Sequence, residues 1–485
     1  MAQRLENLAQ IAPRFRPGYQ PEAHDTGIVH LGLGAFHKAH QAEMTDRVLA
    51  AKGGDWRIVG VSLRSGQASQ ELAPQNGLYT LLVKSAEKTD VRVIASLAGA
   101  LCSAENSAPA LAAMIRPQTK IVSLTVTEKA YGLDRARQGC DPTHPAVAAD
   151  LANFAAPKGV LGLLVKALQG RWQAGEPPFT ILCCDNLPQN GHLLRGAVVD
   201  FARHIDPALA EWIASTVAFP STMVDRITPA PSQATRAEAA SATGITDLAA
   251  VETEAFCQWV VEDNFPLGRP QWELAGAHFT DDVTPFEQMK LRMLNGTHSM
   301  LAYAGFHAGY QFVRDAMKDP NLTRLVRRHL AAASSTLPEI DGFDYADYAA
   351  ALTERFENPA IAHALYQIAM DGSEKIPQRI FAAVPEARRL EEPVSPFAFA
   401  TAAWLRHVSR ATHDGPAYEL RDPLAEELQQ LPLSDGPHRL ATGLFELGLA
   451  DRPLCQDQLF WTEVYQLMTD MLAQPMQAVI AEAAQ

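Results

Sequence analysis

Apolar runs of strand length alternate with amphipathic stretches through the first 280 residues, and then the strand pattern stops. GIVHLGLG (27–34) is an apolar strand running into a glycine turn, and FHKAHQAEMTDRVLAAK follows it with helical spacing. WRIVGVSLR (56–64), LYTLLVK, VRVIASL, KIVSLTVTE (120–128) and FTILCCDN (179–186) are further strand candidates, and KGVLGLLVKALQGRWQAG (158–175) is helical between the last two. Such alternation predicts a mostly parallel sheet with helices on both faces. From residue 281 the pattern is helical almost throughout. FEQMKLRMLNGTHSMLAYAGFHAGYQFVRDAM (286–317) is one long stretch interrupted at Gly296, and LTRLVRRHLAAASS, YADYAAALTERF, IAHALYQIAM and AFATAAWLRHVSRA continue it. The expected fold is α/β, with a parallel-sheet domain over 1–280 and a mainly α-helical domain over 281–485.

At 485 residues the chain exceeds what one core normally holds, which agrees with two domains. Hydrophobic residues make up 47% and charged residues 20%, the balance of an ordinary globular protein. A net charge of −14 argues against nucleic acid and anionic membranes as main partners. It does not exclude an anionic small molecule, because a local cationic pocket outweighs a distant acidic surface. The six cysteines include no C-x-x-C pair, as in a reduced cytoplasmic set. MAQRLENLAQ lacks the apolar core of a signal peptide, and no apolar run approaches the ~18 residues of a membrane span. The reading is a cytoplasmic protein whose oligomeric state is open, a monomer being the simplest case.

The glycine turn comes first among the candidate sites. Gly32 and Gly34 lie directly between a strand and a helix, a context that suits a dinucleotide pyrophosphate. The third glycine position of that fingerprint holds His37, so a plain strand–turn–helix fits the same residues equally well. Gly32, Gly34, Ala35 and Phe36 are the cofactor-binding candidates, with Arg64 at the end of the second strand. An acid at that strand end binds ribose hydroxyls and favours NAD, whereas a cation favours the 2′-phosphate of NADP. LRSGQAS offers Arg64 and no acid, which leaves the choice open.

KLRMLNGTHSM (290–300) carries Lys290, Asn295 and His298, and Asn186 lies upstream in CCDNLPQNG. A lysine can take a proton from an alcohol, two carboxamides can donate to the oxygen as it becomes an alkoxide, and a histidine can hold a neighbouring hydroxyl. On an ideal helix, ~100° per residue places His298 about 80° and Asn295 about 140° around from Lys290, with a Lys-to-His rise of about 12 Å. A solvated lysine and a core histidine satisfy the same spacing. No Cys/His/Glu cluster with zinc spacing accompanies the run, so no metal is expected and the lysine would be the general base.

Several segments carry a resemblance. IVHLGLGAFHKAHQA, RPQTKIVSLTVTEKAYG, CCDNLPQNG, FPSTMVDRITP, WVVEDNF, GRPQWE, DDVTPFEQMKLRMLNGTHS and QIAMDGSEKIP span residues 28–381 in order. Together they resemble the polyol-specific long-chain dehydrogenase/reductase, or mannitol dehydrogenase, family. The resemblance implies a Rossmann-like N-terminal domain, a helical C-terminal domain and an active site between them. It makes Lys290 the general base, Asn186 and Asn295 the oxyanion donors and His298 a substrate-orienting residue. Asp225 and Lys375 match positions near the bound polyol, and Glu287 an acid linked to proton exchange with the lysine. Asn190 fits a residue that supports the site from behind its contacting groups, but reads more simply as a turn-forming asparagine.

Two departures narrow the reading. Mannitol dehydrogenases of the best-known type have an arginine eight residues before the lysine of DGS-x-K. Here the residue is Gln367, and the segment resembles fructuronate reductases instead. The family's acidic pair after the second strand is replaced by Gly66 and Gln67, so NADP tolerance is open. Arg379 and Arg292 are candidate partners for a substrate carboxylate, although an exposed structural role is the simpler reading of each. No tyrosine is followed four residues later by lysine, which removes the short-chain dehydrogenase pair. The resemblance implies a metal-independent, NAD-dependent oxidoreductase interconverting D-mannonate and D-fructuronate. A polyol dehydrogenase acting on mannitol, arabinitol or sorbitol is the alternative, and a catalytically silent cofactor-binding sensor is the rival of another class.

Overall fold

In the computed structural model the chain is described over residues 3–127, 130–135, 137–360, 362–411 and 417–485. It divides into two units, Met1–Thr284 and Pro285–Gln485. Glu128, at the end of one expected strand, and Ile361, at the start of IAHALYQIAM, lie outside the described residues.

The first unit holds β1 (Thr26–Leu31), β2 (Arg57–Ser62), β3 (Tyr79–Lys84), β4 (Thr89–Ile94), β5 (Leu97–Cys102) and β6 (Ile121–Leu124). It continues with the short pair β7 (Leu133–Asp134) and β8 (Gly139–Cys140), then β9 (Thr180–Cys183), β10 (Thr222–Asp225), β11 (Val251–Glu254), β12 (Gln258–Glu262) and β13 (His278–Thr280). Five strands form one parallel sheet in the order β5-β2-β1-β6-β9. Its strands are buried on both sides, which is why they read as continuous apolar runs. One face packs against helices Ala108–Ile115, Val160–Ala174 and Asn190–Ile205, the other against Gln41–Lys52 and the smaller sheets.

Two expected strands belong elsewhere. LYTLLVK forms β3, which pairs antiparallel with β4 and parallel with β11 in a separate three-stranded sheet. VRVIASL is split: Val91–Ile94 end β4, and the chain turns at Ala95 and Ser96 into β5, the edge of the main sheet. Periodicity sees one apolar run there because both strands are buried.

The second unit is helical. Thr297–His307 is buried along most of its length and packs against Ser395–Val408, Pro320–Ser335 and the short helix Leu365–Ile368. Gly296 does not interrupt the run that precedes it. Helix Thr284–Met289 passes into a π-helical segment, Lys290–Gly296, and this into Thr297–His307. A Cβ at Gly296 would lie 3.0 Å from the Arg379 carbonyl oxygen and 3.2 Å from His329 Nε2, so glycine is there for close approach. Among the described residues no helix is long and apolar enough to cross a membrane.

His30, His37, His298, His329 and His407 are among the buried histidines. Burial is the main influence on each. It lowers the pKa to about 3 at His30 and about 4 at His329 and His407, and well below the ordinary value at His37 and His298. In the unfolded chain each returns to ~6.5. Below that pH the unfolded chain binds protons that the folded chain refuses, so stability falls with pH by ~1.4 kcal/mol per unit for each such histidine. Asp46, which burial raises to about 6, works in the opposite direction as a single group. The expected outcome is a steep drop in the urea midpoint from about pH 7 to about pH 5, before most carboxylates titrate. A flat profile over that range would mean that these imidazoles are not held neutral.

Candidate active site

The first unit carries its candidate residues at the C-terminal ends of β1, β2, β6, β9 and β10. At the end of β1 the chain turns through Gly32, whose φ of +99° is left-handed. A Cβ there would also sit 2.1 Å from the Thr125 carbonyl oxygen, so both conformation and packing demand glycine. The amides of Gly32 and Leu33 both donate to the Val61 carbonyl, at 2.8 and 3.2 Å, which ties the turn to β2. His37, at the third fingerprint position, stacks on His30 of β1 with ring centroids 3.4 Å apart. Where a glycine would bring helix and strand together, a ring fills the gap. The helix leaving the turn is correspondingly short, Ala35–Ala39, and the chain bends at His40 before Gln41–Lys52.

A cavity of about 650 Å³ opens over this turn. Gly32, Gly34, Ala35 and Arg64 line it, together with Ser62, Thr125, Val126, Asp150 and Lys158. Phe36 is not in its wall, and its half-buried ring stacks on His40. The Ser62 hydroxyl is buried and finds no partner among the described residues. A cavity of this size at the carboxyl ends of a parallel sheet, with a glycine turn and an unpartnered hydroxyl in its wall, fits a dinucleotide. Gly32, Gly34 and Ala35 would hold the pyrophosphate.

Asp185, directly after Cys184, organises the neighbouring strand ends. Its carboxylate accepts from the Val126 amide at 3.0 Å, the Thr127 amide at 3.0 Å and the Tyr131 hydroxyl at 2.6 Å. Those bonds hold Thr127 at a φ of +77°, a strained position for a β-branched residue. Asn186 follows at once. Asn190, the first residue of helix Asn190–Ile205, donates to the carbonyls of Asp185 at 3.0 Å and Thr222 at 2.8 Å and accepts from the Thr222 amide at 2.9 Å. It is therefore not a turn former but a clamp between the loop of Asn186 and β10, which ends at Asp225. Asparagine in the sequence gives no sign of this, because both partners are backbone groups, one of them distant.

In the second unit Lys290 opens the π-helical segment, Asn295 lies inside it and His298 is the second residue of the next helix. Hydrogen bonding from i to i+5 widens the helix and reduces the angular step per residue. Residues five apart, Lys290 and Asn295, are thereby drawn toward one side, instead of ~140° apart as on an ideal α-helix. Lys290, His298 and Glu287 are buried and Asn295 half-buried. The His298 ring lies 4.5 Å from that of Phe356 and 5.4 Å from that of His363, centroid to centroid. Burial, then His363, Arg355 and Arg379, keeps it neutral.

Helix Gly372–Arg379 carries two cations one turn apart. The Lys375 ammonium donates to the Met370 carbonyl and lies 3.8 Å from Asp371. Arg379 departs from the exposed role expected of it. Burial lowers its pKa to about 10, and its guanidinium donates to Ser299 Oγ at 3.1 Å and the Asn295 carbonyl at 3.4 Å. Arg292 is structural, donating to the carbonyl and hydroxyl of Thr336. Gln367 is exposed. Among the described residues one group, Cys140, Asp200 and His204, is close enough to share a metal ion, and none of its members is a catalytic candidate.

Residues 26–274 match the mannitol dehydrogenase Rossmann domain, and residues 282–464 the mannitol dehydrogenase C-terminal domain. The chain is 42% identical to D-mannonate oxidoreductase of Escherichia coli, with 86% of this chain and 87% of the relative covered. Pseudomonas fluorescens mannitol 2-dehydrogenase, solved as a ternary complex with NAD and D-mannitol, aligns with a TM-score of 0.84 and 35% identity over 99% of both chains. A D-sorbitol dehydrogenase in substrate-free form aligns with a TM-score of 0.89 and 32% identity over 99% of this chain and all of that one.

The Asn190 clamp yields a test. Asn190→Ala releases the loop of Asn186 without touching the dinucleotide cavity. Turnover is expected to fall by ~10-fold or more, the scale on which small misplacements act, while dinucleotide affinity measured by fluorescence titration holds. Wild-type kcat in a folded variant would remove Asn190 as a positioning residue.

Proposed function

The chain belongs to the mannitol dehydrogenase family, and from that premise we propose that it is an NAD(H)-dependent secondary-alcohol dehydrogenase interconverting D-mannonate and D-fructuronate. The observation that carries the choice of a sugar acid is Arg379. It is drawn inside beside Asn295 and Ser299, with no carboxylate partner among the described residues, and Lys375 stands one turn away. A half-buried guanidinium whose hydrogen bonds go to neutral groups, with a second cation one turn away, favours an anionic ligand. The identity to a D-mannonate oxidoreductase supports the same reading.

In the oxidation, neutral Lys290 accepts the proton of the C5 hydroxyl, and in the reduction its ammonium returns it. Nicotinamide, when bound, supplies the acceptor for the C5 hydride. Asn186 and Asn295 donate hydrogen bonds to the developing alkoxide, a contribution of ~3–4 kcal/mol for each such donor where it is preorganised. His298, kept neutral, orients a substrate hydroxyl. Asp225 and Lys375 hold the carbon chain, and Glu287 passes the lysine's proton to solvent. A second reading, mannitol 2-dehydrogenase, is favoured by the likeness to the enzyme solved with D-mannitol.

An assay following NADH with fructuronate, tagaturonate, fructose and xylulose separates the two. The expected result is the highest kcat/KM with fructuronate. A value for fructose equal to or above it transfers the assignment to the polyol.

Lys290→Ala is expected to abolish most turnover, with NADH binding retained, and to lose the rise of the oxidation rate with pH. A small primary amine should restore part of the rate. The comparison is His298→Ala, which should keep the pH dependence. If the lysine variant keeps it and the histidine variant loses it, the base is His298.

A further inference from the structure

The dinucleotide cavity is locally positive in a protein of net charge −14. Its described charged wall consists of Lys38, Arg64, Lys158 and Arg236 against Glu71 and Asp150. Both carboxylates are already engaged. Glu71 accepts from Arg236 at 2.8 Å and from Gln67 at 3.1 Å. Asp150 accepts from the amides of Lys158 and Gly159, each at 2.8 Å. Lys38 is buried and donates to the Ala249 carbonyl. Arg64 differs from these: it is exposed on the cavity wall and has no hydrogen bond or ion pair among the described residues.

Its position is the one that matters for recognising the adenosine ribose. β2 ends at Ser62, whose buried hydroxyl has no partner among the described residues, and Arg64 follows two residues later. In a parallel βαβ unit a carboxylate at this strand end accepts the two ribose hydroxyls and repels a phosphate. Here Leu63–Gln67 contains no carboxylate, and Glu71, the next acid along the chain, is held by its two donors.

We infer that the cavity accepts the 2′-phosphorylated dinucleotide, NADP(H), as well as NAD(H), with the Arg64 guanidinium as the partner of the 2′-phosphate and the Ser65 hydroxyl beside it. A planar guanidinium can meet two phosphate oxygens at once, and its charge is not committed elsewhere. The inference rests on the dinucleotide reading of the cavity and extends it to the phosphate.

Binding, rather than turnover, tests it. The full-length protein is titrated with NADH and NADPH by tryptophan fluorescence, and 5′-ADP and 2′,5′-ADP are compared as competitors. Expected are a Kd for NADPH within about tenfold of that for NADH, and stronger competition by 2′,5′-ADP. Arg64→Ala should raise the ratio of the NADPH to the NADH Kd by about tenfold or more, and Arg64→Lys should restore part of it. If NADH binds and NADPH is weaker by about a hundredfold or more, the inference fails and the dinucleotide reading stands. If neither binds, the dinucleotide reading itself fails. If NADPH binds and Arg64→Ala leaves the ratio unchanged, the assignment to Arg64 is overturned.

Discussion

The ends of β1, β6 and β9 in the first unit cannot relax independently. The Thr125 carbonyl rests against the Cα of Gly32, so the glycine turn and the exit from β6 share one space. Two residues on, Thr127 is held left-handed because the carboxylate of Asp185, at the exit from β9, takes its amide. Asn190 then ties the Asp185 carbonyl to Thr222 at the start of β10. One connected set of contacts thus runs from the glycine turn to the strand that ends at Asp225. Burial raises the pKa of Asp185, but the three donors that meet its carboxylate favour the ionised form. Strain at Thr127 persists because its surroundings over-determine it.

The second unit solves a different problem, placing polar groups on a helix in an apolar interior. The π-helical segment does this by geometry and not by loop formation. Its wider turn brings Lys290 and Asn295 toward one side while the backbone stays helical. Close packing from Arg379 and His329 against Gly296 limits what could stand at its end. The same neighbours bring in the cations of helix Gly372–Arg379.

Much of this was legible in the residues. The strands of the main sheet show as apolar runs because they are buried on both sides, and the second unit shows as helical spacing without strands. The glycine turn follows the first strand, as its run implied. What escaped has physical reasons. β4 and β5 are separated by a two-residue turn without glycine or proline, so VRVIASL reads as one strand. The π-helical turn has no composition of its own, because i to i+5 bonding depends on packing around the segment. Arg379 reads as a surface residue because arginines usually are, and only the close approach of two helices withdraws it. Asn190 escaped because its partners are backbone groups of segments brought together by the fold.

The π-helical segment also changes how the run Thr284–His307 counts. A helix that widens for one turn contains an extra residue relative to a straight α-helix of the same reach, so its two halves are out of phase. The side chains of Phe286 and Glu287 face where they do because the extra residue lies between them and Thr297–His307. Deleting one residue between Lys290 and Gly296 would not simply shorten the helix. It would restore continuous α-helical winding and remove the wide turn that draws Lys290 and Asn295 toward one side. Spacing within this motif is thus a structural quantity in its own right, and a protein with the same letters at a different interval would not have the same site.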